Sequence, residues 1–194
     1  MLKVLPKYYN NLILTEEKIW SCLKEGSEKK NLYFNLLSLV TNYNNNIKVR
    51  TLVLRDFNKK TKTLSFFTDF RSNKVKAIES NPKVKIHTYD PIQKIQIQIS
   101  GKAKLNLKNN LTKKYYDKLS IQDKLNYITL NKPGKKISNP KNISYTEHKK
   151  AHNNFCIILV TIIHIEWLLL NRTGNRRAIF SYYKNKISKS WQTP

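Results

Sequence analysis

The stretch LSFFTDFRSNKVKAIESNP, residues 64–82, decides the fold more than any other part of the chain. It begins with the alternation of a strand and continues as a helix that an Asn-Pro pair terminates. Ser72 can cap that helix, and Arg71 and Lys74 stand beside its first turn. A helix N-terminus with a hydroxyl group and two cations has the chemistry of a phosphate site without glycine. A capped surface helix with solvated basic residues would have the same sequence.

Composition narrows the possible classes of protein. The 194 residues suit a single domain over 1–194, and 37 basic against 12 acidic side chains give a formal charge of +25. Four scattered glycines leave no Gly-rich loop, which argues against a Rossmann or P-loop nucleotide site. The lysines are spread along the chain, as AT-rich coding alone would give. The arginines occur only in 50–71 and 172–177, which suggests anion recognition at two places.

Outside residues 64–82 the periodicity favours antiparallel strands with flanking helices, an α+β fold. Ile95, Ile97 and Ile99 alternate with polar residues, so one face of their strand joins a core, and Gly101 marks a bulge. A polar segment at about 130–152 is too long for an ordinary connection and has the character of a lid or binding loop. The predicted strands are Leu32–Thr41, Ile47–Asp56, Thr63–Thr68, Val84–Tyr89, Gln93–Leu105, 155–170 and Arg176–Tyr183. Three helices are predicted: the first runs from an N-cap at Thr15 to Gly26, the second is capped by Ser72, and the third covers residues 110–128. The last two strands form a hairpin that would bring Trp167 and Arg177 nearly opposite each other.

The cysteines, the histidines and the apolar stretches give few further indications of function. Cys22 and Cys156 are too few for a disulfide framework or a Cys-based zinc site, so we expect a reducing, cytoplasmic setting. The apolar stretch Phe155–Leu170 is too short to span a bilayer, and we expect no membrane partner. His148 and His152 have the spacing of a metal pair, but no zincin glutamate follows, and we assign no metal.

Four blocks of the sequence occur in one order: RTLVLRDF at 50–57, LSFFTDFRSNKVKAIESNP at 64–82, YDPIQKIQIQISGKAKL at 89–105 and IEWLLLNRTGNRRA at 165–178. Together they resemble the pyridoxamine 5′-phosphate oxidase-like FMN-binding family, in its branch of undetermined substrate, over about residues 10–194. The resemblance implies an antiparallel split β-barrel of the FMN-binding type. It also implies a homodimer with FMN at the subunit interface, acting as an FMN-dependent oxidoreductase on an unknown small molecule.

The resemblance further implies a set of cofactor-binding residues. They are Arg50, Thr51, Leu52, Val53, Leu54 and Arg55 along the flavin, with Arg50 near the phosphate; Phe67 and Thr68 at the isoalloxazine edge; Ser72 and Lys74 on the phosphate; Gln96 on the ring; and Trp167 and Arg177 from the partner subunit. Asn73 stands where related oxidases have an arginine, and Arg71 is the candidate replacement. Thr173-Gly174-Asn175 replaces the Arg-x-His motif with which pyridoxine phosphate oxidases hold substrate, which argues against vitamin B6 oxidation.

Two alternatives stay open at this point. A non-enzymatic basic module that binds nucleic acid would account for the charge and the 11% aromatic content. The arginines sit at flavin-motif positions instead of along one basic stripe, which favours the flavoprotein. A flavin-binding carrier or sensor without turnover would carry the same motifs, because flavin chemistry needs few protein side chains. For the same reason no catalytic residue is predicted.

Overall fold

The computed structural model describes residues 5–30, 33–145, 148–183 and 186–194. The helices are α1 (Leu12–Glu28), α2 (Asn73–Ser80), α3 (Asn110–Asp117) and α4 (Ile121–Lys124), with short 3-10 segments at Leu125–Tyr127, Pro140–Asn142 and His148–Asn154. The strands are β1 (Leu36–Tyr43), β2 (Asn46–Asn58), β3 (Thr63–Asp69), β4 (Lys83–Asp90), β5 (Ile95–Leu107), β6 (Phe155–Leu169), β7 (Arg176–Tyr183) and β8 (Lys186–Gln192).

Within these ranges, six antiparallel strands form a closed barrel. Their order is β3–β2–β1–β4–β5–β6, and β3 pairs with β6 to close the ring. β6 is long enough to serve two neighbours besides β5, because residues 155–161 pair with β3 while residues 164–169 pair with β7. β7 and β8 extend the sheet beyond the barrel. The predicted antiparallel split barrel is therefore confirmed.

Apolar side chains on the inner faces of the strands fill the barrel. Ile95, Ile97 and Ile99 all point inwards and are each at most 1% exposed, as their alternation predicts. Full burial of one such side chain contributes roughly 1.5–3 kcal/mol. α1 packs against β2, where Trp20 stacks on Phe57 with 5.6 Å between the ring centroids. The polar residues of β5 consequently lie on the outer face of the sheet.

Gly101 produces the predicted bulge. The ladder shifts at this point, so that Ser100 pairs with His164 while Gly101 pairs with Ile162. A Cβ atom at Gly101 would lie 2.6 Å from the carbonyl oxygen of Thr161. Only glycine allows the two strands to approach so closely, and the bulge changes the register along the outer face.

α1 begins earlier than predicted. Asn11 is the N-cap, and its side chain accepts hydrogen bonds from the N–H groups of Ile13 and Leu14. Thr15, the predicted cap, is fully buried inside the first turn, where its hydroxyl donates to the carbonyl of Tyr8. Both residue types cap helices well, and the packing of the preceding segment decides between them.

The hairpin of β6 and β7 brings Trp167 and Arg177 nearly opposite each other, as predicted, with an offset of one residue. Trp167 pairs with Ala178, and Arg177 pairs with Leu168. Because neighbouring residues of a strand point to opposite faces, Trp167 and Arg177 lie on opposite sides of the sheet. A one-residue change in register reverses every side chain, and the turn sequence alone did not fix that register.

Residues 108–145 and 148–154 leave the barrel between β5 and β6, and we call these residues the excursion. The predicted helix 110–128 is divided, because the Ser120 side chain accepts from the N–H of Asp123 and caps a separate helix, α4. Thr129 and Tyr145 form an isolated bridge at the base of the predicted polar loop. Five buried residues give the excursion a small core where it meets β6: Tyr127, Ile128, Ala151, Phe155 and Ile157.

Among the helices that the structure describes, none is long and apolar enough to cross a bilayer.

Candidate cofactor site

The end of β3 and the start of α2 form a polar corner with Arg50 of β2, which we call the α2 corner. Ser72 is 3% exposed and stands at the N-cap position, yet its side chain makes no capping hydrogen bond. Lys74 Nζ donates to Thr68 Oγ1 at 3.0 Å and to Ser72 Oγ at 3.3 Å. Two hydroxyl groups and one ammonium group therefore meet beside the first turn of the helix.

Two cations in this corner are partly removed from water. Arg50 Nη1 donates to Thr41 Oγ1 at 2.6 Å, and burial lowers the pKa of the guanidinium. Burial also lowers the pKa of Lys74, and the positive charge of Arg50 lowers it further. Among the described residues, no carboxylate forms an ion pair with Arg50 or Lys74. The corner thus holds two repelling, desolvated positive charges.

An anion would relieve this repulsion, and the donor set indicates which kind. Two cations, two hydroxyl groups and a helix N-terminus together match the charge and the acceptor oxygens of a phosphate dianion. Desolvation makes each charge-assisted hydrogen bond stronger than it would be on the surface. The residues of the α2 corner therefore fit the phosphate group of FMN.

Arg71 does not face this corner with a free charge. Its Nε and Nη2 atoms donate to the carboxylate of Asp69, with 2.6 Å between Nη2 and Oδ2. Its Nη1 donates to the carbonyl of Leu130, and Nη2 also donates to the hydroxyl of Thr129. Arg71 thus fastens the excursion to the start of α2, and Asp69 neutralises its charge. Asn73 adds no cation at the position where related oxidases have an arginine.

The remaining candidates on β2 form a wall with two different faces. Thr51 and Val53 point outwards, Leu52 is partly buried, and Leu54 points into the core with 1% exposure. The N–H of Leu54 is also engaged, because it donates to the carbonyl of Asn35 at 2.7 Å. Side chains of Thr51 and Val53 are therefore the ones on this wall that a ligand on the outer face can touch.

Arg55 and Phe67 lie together beneath the excursion. The guanidinium carbon of Arg55 is 5.6 Å from the centroid of the Phe67 ring, and its Nη2 is 3.8 Å from Asp123 Oδ1. The Phe67 ring packs edge-to-face against Tyr115 and Phe155. The excursion therefore covers one side of the predicted flavin wall.

Polar residues of β4 to β7 form a second group on the outer face of the sheet. His87 Nε2 lies 3.3 Å from Gln96 Oε1, and Arg177 Nη2 lies 2.9 Å from Glu166 Oε1. The Nε atom of Arg177 is buried and has no hydrogen-bond partner among the described residues. Gln96 and Arg177, which were predicted separately, thus share one surface.

Trp167 belongs to the opposite face. It is 0% exposed, and the edge of its ring meets Tyr8 with 6.2 Å between centroids. Its Nε1 has no hydrogen-bond partner within the described part of the chain. In the single chain, Trp167 presents no surface to a neighbouring molecule, whereas Arg177 does.

The turn between β6 and β7 is fastened to the N-terminal segment. Tyr9 donates a short hydrogen bond to the carbonyl of Gly174, and the guanidinium of Arg176 lies 4.2 Å from the centroid of the Tyr9 ring. Arg176 Nε also donates to Asn10 Oδ1 at 2.8 Å. This turn, which includes Thr173, is therefore held from within the chain.

Sequence reasoning missed three residues that contact predicted ones: Thr41, His87 and Glu166. Each lies on the neighbouring strand, two register positions from the residue directly opposite its partner, so the signal for all three is strand register, which the sequence leaves open. Burial raises the pKa of Cys22 to about 11 and of Cys156 to about 12, so both thiols stay protonated. Among the described residues, no group of three or more His, Cys, Asp or Glu could hold a metal ion. The side chain of His148 lies outside the described residues.

The chain is similar to known proteins in sequence and in fold. Residues 16–106 match the family described as pyridoxamine 5′-phosphate oxidase, FMN-binding domain. No curated protein matches the chain. Solved structures do match it. A pyridoxamine 5′-phosphate oxidase-related, FMN-binding protein from Nostoc punctiforme is 23% identical and has a TM-score of 0.75, with 98% of this chain and 99% of that chain covered.

Two further structures have the same fold at lower identity. PhzG from Burkholderia lata, solved with tetrahydrophenazine-1-carboxylic acid, is 14% identical with a TM-score of 0.74, covering 99% of this chain and 98% of its own. General Stress Protein 26 from Bacillus anthracis is 16% identical with a TM-score of 0.50, covering 77% and 92%. At these identities the likeness concerns the fold and carries no substrate across.

Proposed function

We propose that the chain is a homodimeric FMN-dependent oxidoreductase of the pyridoxamine 5′-phosphate oxidase-like, FMN-binding split-barrel family. The observation that carries this proposal is the pair of desolvated cations in the α2 corner, Arg50 and Lys74. Neither has an ion-pair partner among the described residues. Lys74 donates to the hydroxyl group of Ser72, and the positive charge of Arg50 acts on Lys74. This arrangement supports phosphate binding by the residues that the family motif selects.

Bound FMN supplies the redox chemistry, since its ring exchanges electrons with the substrate. The chain's own residues bind and orient the flavin nucleotide. Arg50 and Lys74 neutralise the phosphate, and the hydroxyl of Ser72 supplies a further hydrogen bond. Outward-facing Thr51 of β2 and Gln96 of β5 are the candidates for contact with the ring.

The substrate differs from pyridoxine 5′-phosphate in this proposal. Thr173-Gly174-Asn175 has neither the arginine nor the histidine of the Arg-x-His motif. The same turn is held by Tyr9, whose ring lies under Arg176, so the nearby arginine is already engaged. A phosphorylated B6 substrate would therefore lack its usual ligands at this turn.

The homodimer is supported by the outer face of β1 and β2. Leu36, Ile47 and Val49 are apolar, yet they are 52%, 65% and 63% exposed. Val49 pairs with Val40 and lies near Ile47 at one end of this face, and Leu36 pairs with Val53 at the other end. Apolar residues exposed together mark an interaction surface in soluble proteins. A second copy of the chain packed on this face would cover these apolar residues. It would also shield from solvent the outer polar group that contains Gln96 and Arg177.

The experiment is reconstitution with FMN followed by anaerobic reduction. We expect a yellow protein whose bound flavin is bleached by reduced nicotinamide, faster than free FMN is bleached, and reoxidised by air. A protein that binds FMN but exchanges electrons no faster than free FMN, with any reductant tried, would be a carrier or sensor and not an oxidoreductase. A protein that binds no FMN would contradict the proposal as a whole.

A further inference from the structure

A tight turn of the excursion, Lys132-Pro133-Gly134-Lys135, presents two lysines at its ends. The N–H of Lys135 donates to the carbonyl of Lys132 at 3.2 Å, and Gly134 has a φ of +84°. Proline at the second position and a positive φ at the third are the signature of a type II turn. Such a turn brings its first and fourth Cα atoms within about 7 Å of each other. The backbones of Lys132 and Lys135 are therefore close together because of the turn.

This turn lies beside the α2 corner. The carbonyl of Leu130 accepts from Arg71 Nη1 at 3.1 Å, and a Cβ atom on Gly134 would lie 3.9 Å from Asn73 Nδ2. Both anchor points belong to the segment that starts α2. Lys132 lies between Leu130 and Gly134 in sequence, so the chain carries its backbone past the start of α2.

The charges of the turn have no acidic partner. Among the described residues, neither Lys132 nor Lys135 takes part in an ion pair. Lys135 Nζ donates at 2.8 Å to Asn131 Oδ1, which is a neutral amide oxygen. The whole segment 130–145 has four lysines and no aspartate or glutamate. Two like charges at the ends of one turn repel each other unless an anion lies between them.

From this juxtaposition we infer that Lys132 and Lys135 are further phosphoryl-binding residues, which cover the phosphate end of the flavin nucleotide from the excursion. The inference rests on the proposed function, because it takes the α2 corner as the phosphate site. Two corners of positive charge, Arg50 with Lys74 and Lys132 with Lys135, then flank one ligand. The phosphoryl group is either the phosphate that FMN and FAD share or the second phosphate of FAD.

The test is a calorimetric titration of the Lys132→Ser/Lys135→Ser variant with riboflavin, FMN and FAD. Lys114→Ser/Lys118→Ser is the matched control, because both lysines are exposed, lie in the same excursion and remove the same charge. We expect the test variant to lose about tenfold in FMN affinity at low salt, and the control less than about twofold. Riboflavin affinity should stay the same in all three proteins.

The FAD titration assigns the phosphoryl group. A larger loss for FAD than for FMN assigns the lysines to the second phosphate, and equal losses assign them to the shared one. The inference is overturned if the test and control variants lose FMN and FAD affinity equally, or if riboflavin is weakened as much as FMN. Wild-type protein that binds no FMN would contradict the proposed function, whereas phosphate-dependent FMN binding without an effect of the turn lysines would contradict this inference alone. Thermal melts of both variants verify that the fold is intact.

Discussion

Arg50 and Lys74 are the residues on which FMN affinity should depend most. Removing one partner of a charge-assisted hydrogen bond costs about 1.5–3 kcal/mol, which corresponds to roughly ten- to a hundredfold in affinity. We expect Arg50→Ala and Lys74→Ala each to weaken FMN binding by at least about tenfold, with riboflavin unaffected. Lys76→Ala is the control, because Lys76 is an exposed lysine on the same helix. Lys62 is less suitable, since its Nζ lies 5.2 Å from the Tyr182 ring centroid. Equal losses for the variants of Lys74 and Lys76 would show that the affinity is only diffuse attraction.

The lowered pKa of Lys74 gives FMN binding a pH dependence. Burial and the charge of Arg50 favour the neutral amine in the free protein, whereas a phosphate dianion favours the ammonium form and raises the pKa again. The free fold therefore gains stability as pH rises through the lowered pKa, and FMN affinity falls over the same range, below the ordinary lysine value of 10.5. The FMN-induced rise in Tm should shrink as the pH rises through the lowered pKa of Lys74, before it reaches the ordinary lysine value of 10.5. In Lys74→Ala this alkaline decline should be absent; an identical decline in both proteins would assign it to another group.

Among the secondary-structure elements, the β5–β6 pair sets the outer face and depends on the bulge at Gly101. A Cβ atom there would lie 2.6 Å from the Thr161 carbonyl oxygen and 2.7 Å from Val160 Cγ1. We expect Gly101→Ala to lower the free energy of unfolding by about 2–4 kcal/mol, because the obstacle is backbone that cannot rotate away. Ser100→Ala, next to it, should cost less than about 1 kcal/mol. Chemical denaturation of both variants measures the difference, and equal stability would mean that the two strands can separate at no cost.

The same elements explain how much the sequence could predict. The burial of Ile97 and the bulge at Gly101 follow from local sequence. Alternation of apolar and polar residues predicts a buried face, and a lone glycine in a strand predicts a bulge. Both predictions are confirmed. Trp167 and Arg177 lie nearly opposite each other, as predicted, but the offset of one residue puts their side chains on opposite faces, and that register is selected by tertiary packing. Arg71 was a plausible phosphate ligand by spacing. Its pairing with Asp69 and with the excursion depends on contacts between distant segments, which no periodicity contains.

For the whole molecule, the homodimer should depend on the apolar outer face of β1 and β2. Val49 is 63% exposed there, and a lysine in its place would put a charge into the proposed interface. We expect Val49→Lys to shift the protein from dimer to monomer in sedimentation, and to weaken FMN binding because residues of the partner are lost. Ile121→Lys is the matched control, since Ile121 is 78% exposed on α4. A wild-type protein that sediments as a monomer when saturated with FMN would contradict the proposed interface.

The high positive charge of the whole molecule would attract anionic partners without a specific site. A charge of +25 attracts any polyanion, and such attraction falls steeply with salt. Phosphate recognition by two desolvated cations should persist, because buried pairs are screened much less than surface charges. FMN binding that survives at physiological ionic strength therefore separates a built site from general attraction.

We propose that this chain recognises the phosphate of FMN in the α2 corner. Parallel calorimetric titrations with FMN and riboflavin at physiological ionic strength test it most directly. We expect one FMN bound per chain and an affinity for FMN at least about a hundredfold higher than for riboflavin, a gap that Lys74→Ala narrows by at least about tenfold because Arg50 remains. Equal affinities for the two flavins, or no binding of either, would contradict it.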